Sequence, residues 1–216
     1  MLIFPQSTRV NQRIPLEELK RQKVDRKIVE QIKSVEWAYK LAPSTLNLAA
    51  TETIKEMTVL RITLREGVNS WRQRAVVFSA LDAAIRSPLI FLVFDECGDA
   101  LGVALNLKAS SGTLTGDSLL FRLFYTENEV TLPSGVTTLE SFYLHLAASI
   151  GGLALRPGET LRALNERHYR LQSLRDARDK LAKRIRNEQQ LNLRFELAKE
   201  RKTFEQEIAL CQSSNA

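Results

Sequence analysis

From Glu159 to Leu210 the chain runs for 52 residues without a proline or a glycine. Nothing in that stretch obliges a helix to stop, so it constrains the fold more than any other segment. Counting in sevens from Leu164 gives Leu171, Arg178 and Ile185, and counting from Arg167 gives Leu174, Leu181 and Glu188: two rows of a heptad seam. In the second half Leu197, Phe204 and Cys211, with Arg201 and Ile208, also recur in sevens, but on rows shifted by two residues. A shift of two is neither a stutter nor a stammer. The pattern therefore predicts two helices that meet around NEQQLN and fold back as an antiparallel hairpin. The competing form is one kinked helix of about 78 Å, from a rise of roughly 1.5 Å per residue.

The Pro157-Gly158 break separates this hairpin, residues 159–212, from a first domain over residues 1–158. In that domain IPLEELKRQ predicts a short helix, with Pro15 at a first-turn position and Glu17 and Glu18 placed to favour its dipole. Asp25 can cap a longer helix through Leu41, because Ile28, Ile32, Val35 and Tyr39 recur on one helical face. Pro43 then forces Ala42 out of helical geometry, so EWAYKLAPSTLNL reads as an elbow where that helix stops. Trp37 would anchor its packing, and Thr45 and Asn47 would bond the local backbone.

EMTVLRITL alternates and is β-branched, a strand from about Met57 to Leu64. Ser70 and Gln73 have capping-box spacing for a helix that ends before Pro88. LIFLVF and ALGVALNLK, separated by DECGD, predict a hairpin, and SLLFRLFYT a further strand. Thr137 and Glu140 form a second capping pair for LESFYLHLAASI, stopped by Gly151 and Gly152. The expected class is α+β: a small mixed sheet with packed helices, followed by the C-terminal coiled-coil hairpin.

The formal charge of +6 is unevenly spread. Residues 1–55 carry ten basic and six acidic groups, residues 56–158 eight and ten, and residues 159–216 thirteen and nine. Cys97 and Cys211 match no ligand or redox spacing, and His145 and His168 do not complete a zinc site with them, so neither a metal nor a cofactor is expected. The N-terminal apolar run is too short for a signal peptide and no segment approaches the roughly 20 apolar residues of a membrane helix. A cytoplasmic location is the expectation.

Three chemistries compete for the polar residues. A restriction-type nuclease would use Asp95, Glu96 and Asp99 on a metal and Lys108 on the attacking water. Against it, Asn106 stands where that motif needs an acid, and the three acids sit in a hairpin turn, where turn chemistry alone explains them. Hydrolase and nucleotide readings lack a nucleophile beside either histidine and a phosphate loop. Nucleic-acid contact draws on Leu161–Asn187, with nine basic residues, Arg175, Arg178, Lys183, Arg184 and Arg186 among them, against three acids. A heptad hairpin serves equally as a docking arm for another protein, its charges forming the solvated face. Lys40, at the predicted helix end, either favours the dipole or contacts a partner or phosphate.

LIFPQSTRVNQRIP, EWAYKLAPSTLNL and KRIRNEQQLNLRFELAKE together resemble the bacterial domain-of-unknown-function family numbered 4391. The resemblance implies an accessory component of restriction-like phage-defence loci, encoded near helicases and DNA methyltransferases. It carries no catalytic residue onto Lys40, Thr45 or Asn47. The expectation is a non-enzymatic adaptor that docks a helicase or methyltransferase, with a basic hairpin able to touch nucleic acid, and with the metal-dependent nuclease as the alternative.

Overall fold

A computed structural model describes residues 2–108 and 123–214. The chain forms two compact units, Met1–Gly151 and Gly152–Ala216.

The first unit is a six-stranded sheet whose spatial order equals its chain order: β1 (Arg9–Ile14), β2 (Ile32–Leu41), β3 (Met57–Leu64), β4 (Leu89–Phe94), β5 (Ala100–Asn106) and β6 (Leu123–Thr126). Every neighbouring pair is antiparallel except β3 and β4, which are parallel because helix α4 (Trp71–Ala84) carries the chain back between them. All six residues of LIFLVF are buried, as expected of a central strand covered on both faces. Under α4, Phe78 stacks on Phe91 with ring centroids 5.2 Å apart, and Leu60, Ile62, Val77 and Leu81 complete that core. Truncating Phe78 to alanine would cost about 3–5 kcal/mol. On the opposite face α5 (Leu139–Gly151) packs against β5 and β6. Gly102 is required by contact: a Cβ there would lie 2.3 Å from the Thr126 carbonyl oxygen.

The predicted strands at Met57–Leu64, LIFLVF and ALGVALNLK, and the helix opened by Ser70 and Gln73, are present. Of SLLFRLFYT only Leu123–Thr126 falls among the described residues, as β6. Thr138, not Thr137, accepts the Ser141 amide at the start of α5, at 3.1 Å.

The long helix expected from Asp25 to Leu41 is overturned. Asp25 caps only α2 (Arg26–Val29), which follows α1 (Leu16–Arg21), and the chain then enters β2. The cause lies in the sheet register. Ile32 and Ser34 oppose Leu64 and Thr63, and Trp37 and Tyr39 oppose Leu60 and Val59, so β2 carries an extra residue at Lys33 and another at Ala38. These bulges turn a period of two into burial at Ile32, Val35, Ala38 and Leu41, a period of three that imitates a helix. The N-terminal arm likewise becomes β1, with a bulge where Asn11 takes φ 55°.

The second unit is the hairpin expected from the heptads: α6 (Leu161–Asn187) and α7 (Leu191–Gln212) pack side by side, joined by Glu188–Gln190. Leu164, Leu171, Leu181, Leu197, Ile208 and Cys211 are buried along the predicted rows. With 27 residues at roughly 1.5 Å rise, α6 is about 40 Å long.

Candidate functional site

The segment before Pro43 ends a strand rather than the expected helix. Pro43 occupies the first position of the short helix α3 (Pro43–Leu46), where its missing N–H costs nothing. The Thr45 hydroxyl accepts the Ala42 amide at 2.9 Å and donates towards the Lys40 carbonyl at 2.9 Å, and Asn47 closes the turn in the left-handed region. The Trp37 indole N–H donates to the Tyr39 carbonyl at 3.0 Å while its ring packs on the core. Because no helix ends at Lys40, its dipole role disappears. Its ammonium instead pairs with Glu56 at 2.9 Å on the surface, an interaction worth about 0–1 kcal/mol.

The residues of the nuclease alternative lie at opposite ends of β5. Asp95 accepts the Asp99 amide at 2.8 Å and Glu96 accepts the Glu66 amide at 2.9 Å, so both acids hold turns. Lys33 donates to the Glu96 carbonyl at 3.0 Å. Lys108 is buried beyond the other end of β5, after roughly 25 Å of strand. There its ammonium donates to the carbonyls of Asp82 and Ile85 at the last turn of α4 and lies 3.7 Å from the Asp82 carboxylate. Burial raises the Asp82 carboxyl to about 6 and lowers the Lys108 ammonium, each partly opposed by the other's charge. The Tyr143 hydroxyl, also raised by burial, donates to the Asn106 carbonyl beside them. This cluster locks α4 and α5 onto β5. Among the described residues no three His, Cys, Asp or Glu side chains meet as a metal site.

A cleft of about 360 Å³ opens at the carboxyl ends of β3 and β4, with Arg65, Arg74, Glu96 and Cys97 in its wall. Its buried arginine is spent on structure: Arg74 donates to the Tyr125 hydroxyl at 2.7 Å, to Glu127 at 3.0 Å and to the carbonyls of Val68 and Asn69. Burial and Glu127 push the Tyr125 hydroxyl up to about 12. Sequence reasoning missed this network because it joins residues more than 50 positions apart.

In the helical unit the open end is closed by charge. Arg167 and Glu159, with side chains 6% and 4% exposed, make two hydrogen bonds at 2.8 and 2.6 Å. Arg167 also donates to the Cys211 carbonyl at 2.6 Å and the Ala154 carbonyl at 2.9 Å. Arg156 donates to the Leu210 carbonyl at 2.9 Å. These bonds satisfy the last carbonyls of α7, which have no partner within the helix, and place cations at its negative end.

The closed end of the hairpin differs. Arg175 is partly buried, and burial together with neighbouring Arg178 lowers its basicity; Arg178 itself pairs with Asp179 at 2.7 Å. The side chains of Lys183, Arg184, Arg186 and Arg194 are exposed and form no ion pair among the described residues. Between them Leu191, Leu193 and Phe195 stand 67%, 41% and 65% exposed. A hollow of about 540 Å³ beside Leu193 and Phe195 includes Gln190, Asn192, Glu196 and Lys199. Sequence reasoning passed over this apolar trio, although a signal was present: all three lie off the rows through Leu197 and Ile208 that fill the seam. Large apolar residues clustered outside a seam mark an interaction surface. No helix among the described residues is long and apolar enough to cross a membrane.

The family described as Domain of unknown function (DUF4391) matches residues 2–208. No curated protein and no solved structure matches the chain.

Proposed function

The chain belongs to this family over nearly its whole length, and on that premise we propose that it is a non-enzymatic docking subunit of a bacterial restriction-like phage-defence assembly. The α+β unit is its stable body, and the tip of the hairpin holds a larger protein, a helicase or DNA methyltransferase encoded with it. The observation that carries the reading is the exposed Leu191, Leu193 and Phe195 at the closed end of the hairpin, among cations that form no ion pair among the described residues. Apolar side chains so exposed lose free energy to water and regain it when a partner covers them. The defence setting rests on the resemblance of the three sequence blocks. The nuclease alternative is weakened because its lysine is held by Asp82 at the far end of β5 from its acids.

The test is co-purification from the native host with mass spectrometry of the retained proteins. Wild-type chain should retain a helicase or methyltransferase, and a Leu191→Ala, Phe195→Ala double variant should lose it while melting normally. Retention by the folded double variant rejects docking through the tip.

A further inference from the structure

The hairpin tip also specifies what kind of surface can cover it. Resting on the docking reading above, we propose that the occupant is an acidic amphipathic helix of the partner protein. Its apolar stripe seats on Leu191 and Phe195, one turn apart on the same face of α7, and its carboxylates face Lys183, Arg184, Arg186 and Arg194.

Shape and charge both lead there. At about 100° per residue, Asn192 sits between Phe195 and Leu193 around α7, and Leu191 lies one turn before Phe195. Leu191 and Phe195 therefore form one exposed apolar ridge, and Leu193, about 160° round the helix from Phe195, borders the far side of a polar hollow at Asn192 and Glu196. An incoming helix with apolar residues at i, i+3 and i+4 fits this relief, as in other helix-in-groove recognition. From Lys180 to Lys199 the chain carries six basic residues (Lys180, Lys183, Arg184, Arg186, Arg194, Lys199) and two acids (Glu188, Glu196), a local +4. Among the described residues only Lys199 of those cations has an ion pair, with Glu196 at 3.1 Å. The complementary surface is therefore acidic.

The other occupants fit less well. A second copy meeting tip to tip across a two-fold axis would bring +4 against +4. Single-stranded nucleic acid needs aromatic platforms, and the tip offers one phenyl ring and two leucines. A membrane surface would bury Asn192 and Gln190 without partners and bring Glu196 against anionic headgroups.

The experiment places a photo-reactive p-benzoylphenylalanine at Phe195 in the full chain, in its native host, and reads the crosslinked segment by mass spectrometry. The same residue at Val76, exposed on α4, is the control. We expect crosslinking from position 195 to one helical segment of net negative charge with apolar residues at helical spacing. Yield should fall about tenfold when Lys183, Arg184, Arg186 and Arg194 are changed to Glu, since four peripheral charge pairs are reversed. Because Arg184 and Arg186 lie in the last turn of α6, where Glu opposes the helix dipole, yields are compared only once melting shows the variant folded, and a second variant with Gln at all four positions should also crosslink less. Crosslinks to a neutral or basic segment, to a second copy, to nucleic acid or to lipid overturn the proposal. A partner lost with the tip variant but crosslinked through a non-acidic segment refutes this inference and leaves docking standing. A partner retained by the tip variant, or no crosslink to any protein, refutes both.

Discussion

At the open end of the hairpin Arg167 gives its guanidinium hydrogens to Glu159 and to the Cys211 and Ala154 carbonyls, whereas at the closed end the side chains of Lys183, Arg184, Arg186 and Arg194 form no ion pair among the described residues. The apolar residues divide the same way. Leu164 and Leu171, near the open end, are fully buried, and Leu191 and Phe195 face solvent. Charges of one kind therefore have two uses in one helical pair. Where they are desolvated and bonded they finish the fold, and where they remain hydrated they are available to a partner.

The largest expected effect is at the open end. Arg167→Met should destabilise the helical unit by about 3–5 kcal/mol in urea titration, because Glu159 is left as a buried unpaired carboxylate. Replacing both partners, Arg167→Met with Glu159→Leu, should recover much of that loss. If the single variant costs less than about 1 kcal/mol, comparable to a surface ion pair, the open end is not a charge-built closure.

The Asp82–Lys108 pair extends the comparison to the α+β unit. The Asp82 carboxyl stands near 6 in the fold against 3.8 ordinarily, so the native state holds its proton more tightly than the unfolded chain. Stability from this group therefore rises as pH falls through the window from about 6 to 3.8, and is lost as pH rises through it. The full amplitude is about 3 kcal/mol. Wild type should gain on Asp82→Asn by that order between pH 7 and 4 in matched denaturation curves. A constant difference across that range would show that burial does not strain this carboxylate.

At the tip, Leu191→Ala with Phe195→Ala should change stability by no more than about 0.5 kcal/mol and weaken partner binding about 10- to 100-fold, the scale of interface hot spots. The smallest effect belongs to Lys40→Ala, which should cost less than about 1 kcal/mol and leave the partner bound, because the Lys40–Glu56 pair is exposed. Partner loss on Lys40→Ala would move the docking surface to the elbow.

Much of this was legible in the sequence where one local rule decided the outcome. The proline-free heptads and their shift of two specified a hairpin, and the Ser70–Gln73 box and the apolar LIFLVF run specified α4 and β4. Strand β2 was misread because two bulges gave it a spacing of three, and only the paired strand reveals a bulge. The surroundings of Lys108 were not legible for a similar reason: proximity to Asp95 along the chain became separation along β5, and the nearby carboxylate, Asp82, comes from the preceding helix. The cations of the tip were legible as charge. The apolar trio beside them was hidden by the expectation that leucines near a heptad seam belong to it.

Amide hydrogen exchange of the full chain, alone and in its purified native complex, tests most directly whether the two ends of the hairpin are built for different tasks. The account predicts that the partner slows exchange across residues 183–199 and leaves 154–171 unchanged, those amides being already protected in the free chain. Partner-induced protection centred on 154–171, or confined to the α+β unit, would contradict it.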